Sequence, residues 1–262
     1  MRKGWPTLIL AGISLALASV GPLIFPIAES GTSSLSALAL HWMVPAILLL
    51  AIIAIATRKR LPLISHSIFW GALAGMVATV GLECIRISGF HLGYMPGSMP
   101  KLMGVLLLDQ FMTGPTVLSN IAGWAYHFWN GACFGIVYVL FLGTRRRWVA
   151  IPYALVIGTI FMLSPVVRAM GIGYFGLQFS VGFLIVVYLA HLVFGSILGW
   201  LSRRLLQAQP SAVWQAARLI FRKTKRLATN SSPRNIREQQ NEVPQSKQKC
   251  LRFQITARKC RP

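Results

Sequence analysis

The chain has 262 residues, of which 55% are hydrophobic and only 12% charged, and its mean hydropathy is +0.62. Soluble domains carry about 25% charged residues, so this composition excludes an ordinary soluble globular protein and indicates one whose solvent is lipid. The net charge of +21 is unevenly spread, since 15 of the 26 lysines and arginines lie between Ser202 and Pro262. An apolar body with a basic tail lacks the even basicity of a nucleic-acid binder, and no nucleic-acid partner is expected.

Arg2 and Lys3 precede an apolar run from Trp5 to Ala28. Ala16-Leu17-Ala18 has the small-residue pattern of a signal-peptidase site. The run continues to Ile27, however, long enough to cross a hydrocarbon core of about 30 Å, so an uncleaved first span is expected. A second span is predicted from Leu35 to Ala56, stopped by Arg58-Lys59-Arg60, and a third from Ser65 to Ile87 after Pro62. Glycine and proline then punctuate Ser88 to Thr116. Within that stretch Lys101 to Met112, which contains Asp109, is too short to cross and reads as a re-entrant or interfacial half-helix. The fourth span runs from Leu118 to Leu142, ahead of Arg145-Arg146-Arg147. The fifth runs from Trp148 to Val167 before Arg168, and the sixth from Leu177 to Leu201 before Arg203-Arg204.

The predicted fold is therefore an all-α integral membrane protein, a bundle of about six transmembrane helices over residues 1–201. With the N-terminus inside, 23 basic residues fall on the cytoplasmic side and 3 (Arg86, Lys101, Arg168) on the other. That asymmetry places both ends in the cytoplasm. Residues 202–262 form a basic cytoplasmic tail. Its segment 211–228 sets Val213, Trp214, Ala217, Ile220 and Phe221 against Arg218, Arg222, Lys225 and Arg226. This amphipathic pattern suits anionic lipid head groups, at about 1 kcal/mol per basic residue near the surface. The polar sequence from Thr229 onward predicts disorder. Cys250 and Cys260 carry no CxxC spacing, and Cys84 and Cys133 lie in apolar segments where a thiol packs as a small hydrophobe.

One pattern recurs. His127 is followed by Gly131 and Gly135, and His191 by Gly195 and Gly199, each at i+4 and i+8. Gly71 and Gly75 repeat the spacing more loosely after His66. Residues so spaced share one helix face, where small side chains let another helix approach closely. These glycines are expected to pack helices, against each other or against a second copy of the chain. His191 is expected to hydrogen-bond beside such a contact. The two His-x-x-x-Gly-x-x-x-Gly spans and the segment HLVFG resemble those of uncharacterised bacterial inner-membrane families of small polytopic proteins. The resemblance covers the fourth and sixth spans and implies a helix bundle in a bacterial cytoplasmic membrane, with no particular activity. It is matched by a hint that the third and fourth spans repeat as the fifth and sixth in parallel orientation.

Candidate chemistry is confined to few residues, because the body holds only Glu29, Glu83 and Asp109 as acids. A rise of 1.5 Å per residue puts His41 about 25 Å from Arg58 and His127 about 27 Å from Arg145. Glu83, Arg86, His91, Asp109, Asn120 and Asn130 fall in the same outer slab. Ionisable groups in a membrane are costly and mark function by default. The candidate binding set is therefore Glu83, Arg86, His127, Asn130, Asp109 and His41. Glu83 and Arg86 at i, i+3 also read as a self-compensating ion pair. Glu83 and His127 with His41 or Asp109 read as a divalent-metal set. Three functions compete: an outward pocket binding or passing a small solute or ion, a structural or assembly protein, and a metal-assisted enzyme acting on lipid with Glu83 or Asp109 as base. No Walker loop, GxSxG elbow or CxxCH motif is present, which removes support for nucleotide hydrolysis, serine hydrolysis and c-type haem.

Overall fold

The computed structural model describes residues 4–110 and 112–230, with side chains described as far as 221. The described residues form helices and connecting turns, with no strand among them. In chain order the helices are α1 (Gly4–Glu29), α2 (Leu35–Leu38), α3 (Val44–Thr57), α4 (Pro62–His91) and α5 (Met99–Leu107), then α6 (Val117–Phe141), α7 (Ala150–Leu163), α8 (Pro165–Ala169), α9 (Val181–Leu206) and α10 (Ala212–Asn230). The described residues divide into two units between Ala216 and Ala217.

Among the described residues, five stretches are long and apolar enough to cross a membrane: Gly4–Glu29, Leu35–Thr57, Pro62–His91, Arg147–Ala169 and Val181–Leu206. They turn large apolar side chains outward, among them Ile9, Leu48, Ile55, Phe69 and Ile185. Such a surface suits acyl chains and is foreign to water. The predicted fourth span, α6, has the length, at 25 residues, but lies outside this set. Asn120, His127, Asn130, Ser119 and three glycines lower its hydropathy, and they suit its place in the bundle: α6 packs against α1, α4 and α5, and 12 of its 25 residues are buried.

The glycines set the spacing of the core. A Cβ on Gly75 would collide with the Gly131 carbonyl, and one on Gly135 with the Gly71 carbonyl, so α4 and α6 meet backbone to backbone. Gly195 and Gly199 of α9 lie equally close to the backbone of Ala150 and Arg147. A third close pair, Gly104 of α5 and Gly123 of α6, seats the short α5 on α6. Close backbone approach of this kind increases dispersion contact where lipid supplies no hydrophobic drive. Gly143 ends α6 at φ +74, a conformation that glycine takes without strain. The chain from Gln207 to Ser211 then straps across that end: Thr144 Oγ1 donates to Gln207 O at 2.6 Å, and Ser211 Oγ donates to Leu140 O at 3.0 Å.

Several predicted boundaries move, each for a local reason. The second span is interrupted by a π-type turn, Ala39–Met43, just before Pro45. Proline has no N–H to return to the carbonyl four residues back, so the helix widens there. The half-helix predicted over Lys101–Met112 is Met99–Leu107 and ends before Asp109, whose φ is +52. The fifth span breaks at Ser164, held extended at φ −72, ψ 162 by the following Pro165. Leu177 to Ser180, predicted as the start of the sixth span, lie in a turn ahead of α9, which continues past Leu201 to Leu206. The tail segment predicted as amphipathic is helical as Ala212–Asn230, so Thr229 and Asn230 are helical rather than disordered. The rest of the predicted disordered stretch lies outside the described residues.

Candidate functional site

α4 and α6 carry the polar centre of the bundle. α6 begins at a capping box, in which Ser119 N donates to Thr116 Oγ1 at 3.1 Å and Thr116 N donates to Ser119 Oγ at 2.8 Å. With its start fixed there and its face fixed by Gly131 and Gly135, His127 is held opposite Glu83. Arg86, one turn beyond Glu83 on α4, donates through Nη1 to Glu83 Oε1 at 2.8 Å. His127 Nε2 lies 2.8 Å from the same oxygen. Glu83 and Arg86 are 5% and 9% exposed, so the pair is inside the protein.

The two contacts differ in kind. Arg86 makes an aligned, charge-assisted hydrogen bond. The imidazole does not aim its N–H along the line to the carboxylate, and neither His127 nitrogen has an aligned hydrogen-bond partner among the described residues. His127 also differs from two other histidines. Nδ1 of His41 and of His191 each donates to the carbonyl four residues earlier, Ala37 and Val187, at 2.8 Å. His127 instead turns its ring across to the neighbouring helix. Asn130 Oδ1, one turn further along α6, is likewise buried without a partner.

These groups line a cavity of about 430 Å³. α1 and α7 supply its walls in the sense that they carry most of its apolar lining, α4, α6 and α9 carry its polar floor, and Met99 and Met103 of α5 and Val166 of α8 complete it. Arg86, His127, Asn130 and His191 are polar residues of the lining, which is otherwise dominated by apolar side chains such as Phe25, Leu82, Phe134 and Phe194. His191 enters from the second glycine helix, its ring pressed against Gly158 of α7 where any Cβ would collide. The hairpins thus share a construction. His127 faces Glu83, Gly131 faces Thr79 and Gly75, and Gly135 faces Gly75 and Gly71, while His191, Gly195 and Gly199 face Gly158, Ala154 and Ala150.

Not every candidate residue joins this site. Glu83, Arg86, His127 and Asn130 come together, with His191 beside them at the cavity. His41 is exposed in the π-type turn, and Asp109 is exposed beyond the end of α5. His91 is exposed at the end of α4, and Asn120 lies a full two turns before His127 on α6. Depth counting along helix axes places all of them at one level, but says nothing of rotation about each axis. Among the described residues, no three His, Cys, Asp or Glu side chains gather as a metal-binding group.

Two supports of the site carry little sequence signal. Tyr126 OH donates to Gly21 O at 2.7 Å, tying α6 to α1 next to Pro22. Tyr153 OH donates to Phe134 O at 2.8 Å, tying α7 to α6. Pro22 and Pro26 lie inside α1 and on the cavity wall. Each denies a hydrogen bond to the carbonyl four residues back, which weakens the helix ladder along that wall. Compared with protein families, with curated proteins and with solved structures, the chain finds no match in any of the three.

Proposed function

We propose that this chain is a six-span protein of a bacterial cytoplasmic membrane, with both ends inside, that binds a small solute in the cavity between α1 and α7. The observation that carries the reading is a pair of buried polar atoms without partners at an apolar cavity: Nδ1 of His127 and Oδ1 of Asn130. Buried polar atoms without partners cost about 1–3 kcal/mol each. A site that keeps them at a cavity wall is built for a ligand that supplies the missing partners.

α6 is the sixth crossing in this reading. At 1.5 Å per residue its 25 residues extend about 37 Å, enough to span. Its polar residues turn to the cavity and its neighbours, so low hydropathy marks a central helix rather than a soluble one. Interfacial anchors mark span ends at both faces, with Arg168 stacked on Tyr174 at 5.6 Å at the end assigned to the outside. Arg147 stacks on Trp148 at 4.7 Å and Arg204 on Trp200 at 5.8 Å, at the ends assigned to the cytoplasm. The amphipathic start of α10, with Trp214 and Leu219 exposed, supports docking of the tail on anionic lipid head groups.

The rival readings receive less support. Gly71, Gly75, Gly131 and Gly135 are consumed within one chain, which weakens an assembly role built on those faces. The metal-assisted enzyme loses its proposed third ligands, since His41 and Asp109 sit elsewhere. Native mass spectrometry of the full chain, released in mild detergent, tests the reading. Wild type should retain a small-molecule adduct, and His127→Ala should lose most of it. Adducts of equal mass and abundance in both proteins would contradict it.

A further inference from the structure

From the position and lining of the cavity, we infer that its ligand is a single-chain membrane amphiphile that arrives sideways from the bilayer. The inference rests on the solute-binding reading above and names the class of solute. The rim is the first argument. Leu23 of α1 and Val156 and Ile160 of α7 line the cavity and are also 55%, 57% and 62% exposed on the apolar outer surface. The cleft therefore opens onto the belt that faces acyl chains, and a hydrocarbon tail crosses that rim without leaving an apolar medium.

The polar floor sets the head group. Glu83 already balances the charge of Arg86, so a net anionic ligand is not required. Arg86 has five N–H donors, and one hydrogen bond to Glu83 is its only bond to a described residue. His127 and His191 add ring nitrogens at the same cavity. Arg86 supplies free donors, whereas His191 Nε2, with Nδ1 donating to Val187 O, and Asn130 Oδ1 are acceptors, so a head group that both accepts and donates, such as a carboxylic acid or a protonated phosphoryl group, satisfies the floor. Size sets the third limit. At about 30 Å³ for each water-sized group, 430 Å³ holds roughly 14 of them. That is a head and part of one chain, with the remaining tail left in the cleft and the bilayer.

The test uses the full chain in phosphatidylcholine nanodiscs with palmitic acid carrying a mid-chain diazirine. Photocrosslinks are mapped by mass spectrometry and compared with labelling of Ile55 and Phe69, which face outward elsewhere. Labelling should concentrate on the α1 and α7 walls and fall about tenfold in Ile160→Trp, which fills the rim at an exposed position, and in Arg86→Gln. Ile160→Trp keeps the test decisive should Arg86→Gln fail to fold. A second arm uses a water-soluble diazirine-bearing benzoate. Wall labelling by the benzoate, with palmitate labelling no higher than at Ile55 and Phe69, overturns the bilayer route and the amphiphile while leaving a solute site. Failure of both probes to label the walls overturns the solute site as well.

Discussion

Glu83 is the counter-charge that permits Arg86 inside the bundle: their side chains meet at 2.8 Å one turn apart on α4. Removing either partner leaves the other charged and buried, at a cost of about 3–5 kcal/mol, whereas removing both costs far less. Glu83→Gln should therefore lower the thermal midpoint of the purified protein sharply, and Glu83→Gln with Arg86→Gln should restore much of it. Scanning fluorimetry in a single detergent checks this, with the double-mutant cycle giving the coupling.

The close approach of α4 and α6 predicts opposite outcomes for two glycines. Gly75→Ala drives a methyl into the Gly131 carbonyl and should destabilise the fold by about 1–3 kcal/mol. Gly12 of α1 has nothing within 4 Å of its Cβ position, so Gly12→Ala should be neutral or stabilise by up to about 1 kcal/mol through helix propensity. Midpoints measured side by side decide it.

Tyr126→Phe removes the hydroxyl that donates to Gly21 O and should cost about 1 kcal/mol. Because that bond joins α1 to α6 beside Pro22, the variant should also loosen the α1 wall. Hydrogen exchange of the α1 amides near Gly21 should quicken, while exchange in α9 stays unchanged.

How far the sequence carries these conclusions depends on the kind of signal. Long apolar runs bordered at one end by basic residues mark α1, α3, α4 and α9 directly, because a bilayer constrains both length and charge. Glu83 and Arg86 announce their pairing at i, i+3. Their convergence with His127 follows only once α4 and α6 are adjacent, and a glycine face says that a helix packs closely without saying which. His41 and Asp109 lie apart from the cavity because counting residues gives depth but not azimuth, and the π-type turn before Pro45 and the left-handed backbone of Asp109 redirect the chain there. The cavity is not legible at all. It is lined from seven helices, and how such helices stand to one another has no local sequence pattern.

α6 decides the whole arrangement, since it carries His127 and Asn130 and must cross the membrane for the cavity to lie within it. The direct measurement is a set of full-length-ordered fusions, with alkaline phosphatase and green fluorescent protein placed after Gly93, Gly143 and Ile172. Six crossings with the N-terminus inside require phosphatase activity after Gly93 and Ile172 and cytosolic fluorescence after Gly143. Fusions after Gly93 and Gly143 that report the same side would contradict the crossing of α6, and with it the intramembrane site.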